Sequence, residues 1–286
     1  MLKITVGEVL FSILLLLITN AFADGSYNAN TEVYNDFGDA DSGWTTQQQH
    51  RVQLATNRSC NLERFSVGEL SEHEFLRRFA YSEPIVIVDS ATRNAAFQKS
   101  STKQRLLVDF GHLNVTTSSA NTYSYAKLKL PLRKYLESMA EPVVNDRTGN
   151  ETMYLFGDID PVEWDPLLRK YIRPPFALPR TRAALSFGVA GAGTGVPFHF
   201  HGPGWAEVIY GAKHWFLYPP DAEPKFDPDR SSLQWYREVY PTLGRKDLPL
   251  ECTLQPGELL YFPDRWWHST LNIETSVFVS TFLGPT

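Results

Sequence analysis

The chain has 286 residues, 43% hydrophobic, 13% aromatic and 21% charged, a balance that can fill a sizeable core and excludes a fibrous or wholly disordered protein. Its formal net charge is -5, and its lysines and arginines are scattered rather than clustered. Without a basic patch there is no phosphate-binding footprint, and the expected partners do not include nucleic acid.

Taken in chain order, residues 1–23 read as a signal peptide. Lys3 supplies the positive start, Val9 to Ile18 the apolar stretch, and Ala21-Phe22-Ala23 a small-x-small cleavage site. Glu8 and Asn20 bound the apolar run, which is shorter than the roughly 20 residues a bilayer requires. An anchor is therefore the weaker reading, and no transmembrane segment is expected after cleavage. The compartment implied is the endoplasmic reticulum lumen, with secretion as the alternative. In that compartment the triplets opening at Asn57, Asn114 and Asn150 become glycosylation sites. The two cysteines, Cys60 and Cys252, are either one disulfide closing most of the domain or two buried thiols, and an oxidising lumen favours the bridge.

Residues 24–59 are rich in Asn, Asp, Gly, Ser, Thr and Gln without an apolar period, and read as a flexible leader. The folded domain is expected over residues 60–286. Its first element is a short helix in LSEHEFLRRFA, with Ser71 as N-cap, Glu74 three residues on, Leu70 placed to staple Phe75, and an end near Phe79. EPIVIV, Glu83 to Val88, is a β-branched run that predicts a buried or edge strand. QRLLVDFG, from Gln104, has helical spacing and a glycine stop, and NTYSYAKLKL, from Asn121, alternates like a strand. PLRKYLESM opens with Pro131 in the position favoured in a first helical turn.

From Ala184 the character changes. Short apolar and aromatic runs alternate with Gly and Pro punctuation, and a helical period survives only over Leu233 to Val239. The pattern predicts a mostly β domain with flanking helices, a barrel or jelly roll whose core spans 184–284. The glycines of GVAGAGTG, Gly188 to Gly195, lack the lysine and hydroxyl of a phosphate loop and read instead as a bulge or close approach.

Of seven histidines, three have a setting that suits a metal. In VPFHFH, a strand period of two would project His199 and His201 from one face. In PGELLYFPDRWWHSTLN, a turn, a strand and a second turn lead to His268, which a barrel can return to the same mouth. Singly, each histidine is most simply a polar residue bonded to a backbone carbonyl. Together they meet the geometric requirement for a shared ion. His50, His73, His112 and His214 lack that setting.

VPFHFH, VIYGAKHWFLYPP and PGELLYFPDRWWHSTLN together resemble the JmjC domain, over roughly residues 65 to 284. That family comprises cupin-type jelly rolls, also called double-stranded β-helices, that act as Fe(II)- and 2-oxoglutarate-dependent oxygenases. The resemblance implies His199 and His268 as metal ligands, and Lys213 as the partner of the distal carboxylate of 2-oxoglutarate. Two positions depart from the family pattern. His201 stands where active members carry Asp or Glu, and Val196 where a number of relatives use Thr toward the co-substrate.

The first departure has a physical consequence. Two imidazoles and a carboxylate leave Fe(II) with a net charge of +1, whereas three imidazoles leave +2 and a metal less able to reduce oxygen. Three histidines remain a good set for iron or zinc, so metal retention survives better than turnover. The expected function is therefore a luminal JmjC-domain protein that binds a protein partner, with oxygenase turnover weak or lost. Its alternative is an active hydroxylase of protein side chains. Zinc-dependent hydration suits three histidines but finds no other support.

Overall fold

Local signals set the first elements. Ser71 accepts the backbone N–H of Glu74 at the start of α1 (Glu72–Arg78), and Leu70 and Phe75 are buried in one cluster, as the staple requires. Acidic Glu72 and Glu74 open this helix, and Arg77 and Arg78 close it, each matching the helix dipole. The computed structural model describes residues 42–44, 52–54, 60–89, 92–124, 126–139, 153–157 and 159–286, all in the unit Asp41–Thr286. The expected signal peptide lies outside the described residues. No helix among them is long and apolar enough to cross a membrane.

In chain order, α1 stands between β1 (Arg64–Ser66) and β2 (Ile85–Val88), and α2 (Ala95–Ser100) and α3 (Lys103–Arg105) follow. Next come β3 (Asn114–Ser119), β4 (Lys127–Pro131), α4 (Leu132–Ser138), β5 (Met153–Phe156) and α5 (Asp165–Leu168). The C-terminal part contains β6 (Thr181–Ala190), β7 (Gly204–Tyr210), β8 (Lys213–Tyr218) and α6 (Ser232–Glu238). It closes with β9 (Leu250–Leu254), β10 (Glu258–Phe262), β11 (Trp267–Asn272) and β12 (Ser276–Pro285).

The strands form a nine-stranded sheet, ordered β1-β2-β10-β7-β12-β6-β5-β3-β4, and a three-stranded sheet, β11-β8-β9. Residues 193–201 run antiparallel beside β11, through hydrogen bonds between Gly193 and Asn272, Thr270 and Val196, and His199 and His268. This extended segment serves the smaller sheet as an irregular further strand. Gly195 permits its close approach, because a Cβ there would lie 1.8 Å from Thr270 O. Val208, Leu260 and Phe262 of the large sheet pack with Trp215, Leu217 and Leu254 of the small one, forming the interior of the jelly roll. The outer face of the large sheet buries Val189, Val277 and Val279 against Phe97, Leu106, Leu136 and Leu167 from the helical elements. The outer face of the small sheet is covered by α6, whose Trp235 and Tyr236 pack on Phe216. Ser231 and Gln234 cap that helix reciprocally.

Four sequence expectations need correction. NTYSYAKLKL is extended only from Lys127, because Asn121–Ser124 makes a turn held by Thr122, which bonds Pro228 O and Phe198 O. Its partner strand, β3, has little apolar alternation and was not anticipated. Pro131 ends β4 and caps α4 with ψ 139, one position earlier than the helical turn expected of it. The HxH pair lies in an extended segment joined to β11 by a bridge at His199 and not in a regular strand.

Packing also begins before Cys60. Trp44 is 5% exposed within the core beneath the helices and donates Nε1–H to Ser101 O, while Val52 bonds Ile273 O beside the α6 cluster. These contacts are long-range, so composition alone read the segment as leader. Cys60 and Cys252 form a disulfide that ties residue 60 to the edge of β9.

Candidate metal centre

The three histidines converge. One ligand nitrogen from each of His199, His201 and His268 lies within 4.8 Å of the others, and the Nε2 atoms of His201 and His268 are 3.1 Å apart. Each Nδ1 lies 2.8 Å from a backbone carbonyl: Pro197 O for His199, Gly202 O for His201 and Trp266 O for His268. A carbonyl only accepts, so Nδ1 carries the proton and Nε2 presents its lone pair. That is the outer-sphere arrangement which orients histidine ligands toward a shared ion.

Burial favours the neutral ring at all three positions. It lowers the pKa of His199, lowers that of His201 to about 3, with His199 adding to the effect, and pushes that of His268 well below the ordinary histidine value. Neutral rings with bare Nε2 atoms are the form a metal takes. A tetrahedral ion about 2.0–2.1 Å from each nitrogen sets neighbouring donors roughly 3.3 Å apart, close to the His201–His268 separation. The residues present therefore fit a divalent metal. Among the described residues, no carboxylate or thiolate joins the cluster.

The surroundings are aromatic. Phe262 and Phe282 flank the His201 ring at 5.4 and 5.0 Å, and Phe262 and Trp215 flank His268 at 5.2 and 5.7 Å. His268 is buried, whereas His199 and His201 keep partial exposure.

The pattern of the cupin-like domain family matches residues 41–282. Over 246 residues the chain is 49% identical to JmjC domain-containing protein 8 of Homo sapiens, spanning 86% of this chain and 91% of that one. The chain belongs to the cupin-like JmjC-domain family. The Rattus norvegicus protein of the same name is 51% identical over 225 residues, 79% of this chain and 82% of its own. A 2-oxoglutarate and iron-dependent oxygenase, JMJD4 of Gallus gallus, is 26% identical over 212 residues, 61% of this chain and 47% of that one.

Against that family, Lys213 occupies an unusual environment for a residue expected to meet a co-substrate. It is 4% exposed, its Nζ donates to Asn272 Oδ1 at 3.1 Å, and it stands 3.9 Å from the centre of the Phe278 ring. Burial lowers its pKa to about 7. The ring takes up space in which a carboxylate would have to approach Nζ, so this end of the interior does not fit 2-oxoglutarate as the metal end fits an ion. Thr270 Oγ1 accepts the Val196 N–H, and the Val196 side chain packs against the cluster containing Phe278.

Two buried polar networks were not anticipated. Glu207 on β7 accepts from Arg93, Asn94 and Tyr171 at 2.7, 2.8 and 2.6 Å, fastening the large sheet to the start of α2 and to residues 171–173. His214, on the outer face of the small sheet, meets Thr253 and Glu251, and Glu251 also accepts from Tyr240. Both consist of residues far apart in the chain and without local motifs, so no spacing could have revealed them. Of the three expected glycosylation sites, Asn114 is exposed at the start of β3, while Asn57 and Asn150 lie outside the described residues.

Proposed function

We propose that this JmjC-domain protein holds one divalent metal in the lumen of the endoplasmic reticulum and acts by binding another protein, with oxygenase turnover weak or lost. The observation that carries this reading is the ligand set: three neutral imidazoles converge where a two-histidine, one-carboxylate set would keep iron electron-rich. Iron is the first candidate and zinc the second. When bound, the metal would supply Lewis-acid character. The chain's own part is to orient three Nε2 atoms through Pro197, Gly202 and Trp266 and to surround them with apolar rings.

The luminal placement rests on the N-terminal signal, the sequons and the Cys60–Cys252 bridge. Endoglycosidase should increase the mobility of the protein from secretory cells, and sealed microsomes should protect it from protease. Full protease sensitivity in sealed vesicles would remove the luminal reading.

A second reading, an active Fe(II)- and 2-oxoglutarate-dependent hydroxylase of proteins, draws support from similarity to a relative named as such an oxygenase. Metal content and succinate formation separate the two. Metal uptake with background succinate supports a retained metal with lost turnover, brisk succinate formation by the parent supports the hydroxylase, and failure to take up iron or zinc defeats both.

A further inference from the structure

Lys213 faces an apolar ring where an anion-binding lysine needs open space. β12 alternates so that Val277 and Val279 pack beneath the helices, while Phe278 joins a different cluster with Ala120, Tyr154 and Ala190. In register across from Phe278 on β6 stands Gly188, where a Cβ would lie 2.4 Å from ring atoms Cε2 and Cζ. Any larger residue there would displace the ring, so the glycine and the phenylalanine form a matched pair. Phe156 packs on the same ring at 5.5 Å. The other neighbour of Nζ is fixed too, since Asn272 donates Nδ2–H to Thr194 O and Oγ1, both at 3.0 Å.

We propose that the Phe278 ring fills the place against Lys213 that a dicarboxylate would need, so that the chain holds its metal without binding 2-oxoglutarate. This rests on the metal-holding reading above but is tested separately from it. A cation within about 6 Å of a ring centre is attracted to the ring face, so Phe278 and Asn272 together partly answer the lysine charge from within the chain. An entering carboxylate would have to expel a ring locked by Gly188 and Phe156, and would exchange water for apolar neighbours. At the other end of the interior, Phe282 closes on His201, so an entering anion would meet apolar surface there as well.

The test titrates 2-oxoglutarate into zinc-loaded protein by calorimetry, for the parent, Phe278→Ala, Lys213→Met and the double variant, with metal content measured independently. The parent is expected to take zinc and show no saturable heat with 2-oxoglutarate up to about 1 mM. Phe278→Ala should gain saturable binding, tighter than the parent by roughly tenfold or more, and the added Lys213→Met should abolish it. Saturable binding to the parent that Lys213→Met removes would overturn the proposal. A folded Phe278→Ala that still fails to bind would overturn the role given to the ring. Should Phe278→Ala not fold, the parent and Lys213→Met titrations decide the matter. A parent that takes no metal would instead remove the reading on which the proposal rests.

Discussion

The Nε2 atoms of His201 and His268 stand 3.1 Å apart, in rings whose Nδ1 atoms are both tied to backbone carbonyls. Two lone pairs at that distance repel unless a cation or a proton lies between them, and burial holds both rings against protonation.

One divalent metal per chain is the expected outcome, read by elemental analysis after loading with iron or zinc. His268→Ala should weaken retention by more than the roughly 10–100-fold typical of losing an outer-sphere partner. His201→Asp should shift preference toward Fe(II) while succinate stays at background, because Phe278 still covers Lys213. Succinate should rise only when His201→Asp is combined with Phe278→Ala. A rise with His201→Asp alone would contradict that order.

Lys213 predicts a pH dependence of stability. Its folded pKa is lowered from 10.5 to about 7, so between these values the unfolded chain binds the extra proton. Stability contributed at this site therefore rises with pH across that window and is lowest below about 7, where the buried amine is charged. Lys213→Met lacks this dependence. Urea unfolding at pH 7 and pH 10 should show the parent gaining relative to the variant at the higher pH. An unchanged difference would count against a lysine whose charged form burial disfavours.

Glu207 joins β7 to Arg93, Asn94 and Tyr171, and Arg93 also pairs with Asp89. Glu207→Ala leaves the half-buried Arg93 with Asp89 as its remaining carboxylate and strips the buried Tyr171 and Asn94 of an acceptor, and should cost about 1–3 kcal/mol. Glu207→Gln keeps the volume and part of the hydrogen bonding and should cost less. Chemical denaturation ranks the two, and equal losses would show that the carboxylate charge alone matters there and that the volume and remaining hydrogen bonds of Gln contribute nothing.

The Cys60–Cys252 bridge constrains the unfolded chain over a separation of 192 residues. Its reduction should lower stability by about 2–5 kcal/mol, seen as a fall in Tm under reductant that Cys60→Ser/Cys252→Ser reproduces without reductant. Non-reducing peptide mapping should recover the two cysteine peptides joined. Both recovered as alkylated thiols from freshly quenched protein would reject the bridge.

Elements whose signals are local were legible. Ser71, Glu74, Leu70 and Phe75 lie within six consecutive positions and mark the start of α1 before any tertiary contact is known. The turn residues around GELLYF and WWHSTLN placed β10 and β11 closely, and with them His268. The HxH spacing and the ordered blocks around Lys213 pointed to the family and to all three converging histidines. These succeed because period, capping and turn chemistry act over a few residues.

What the tertiary structure alone decided involves partners brought together from distant parts of the chain. Nothing near Trp44 signals its burial against elements some 60 residues on, where Ser101 accepts its indole N–H at a sequence separation of 57. Nothing near Asn121 signals that Thr122 will turn back to bond Phe198. The family resemblance implied Lys213 as the partner of a 2-oxoglutarate carboxylate, and only the tertiary structure sets Phe278 of β12 beside Nζ, with Gly188 of β6 making room for the ring. Spacing along a chain reports which way a side chain faces. What stands opposite it depends on sheet register and close packing, which form only when strands distant in sequence come together.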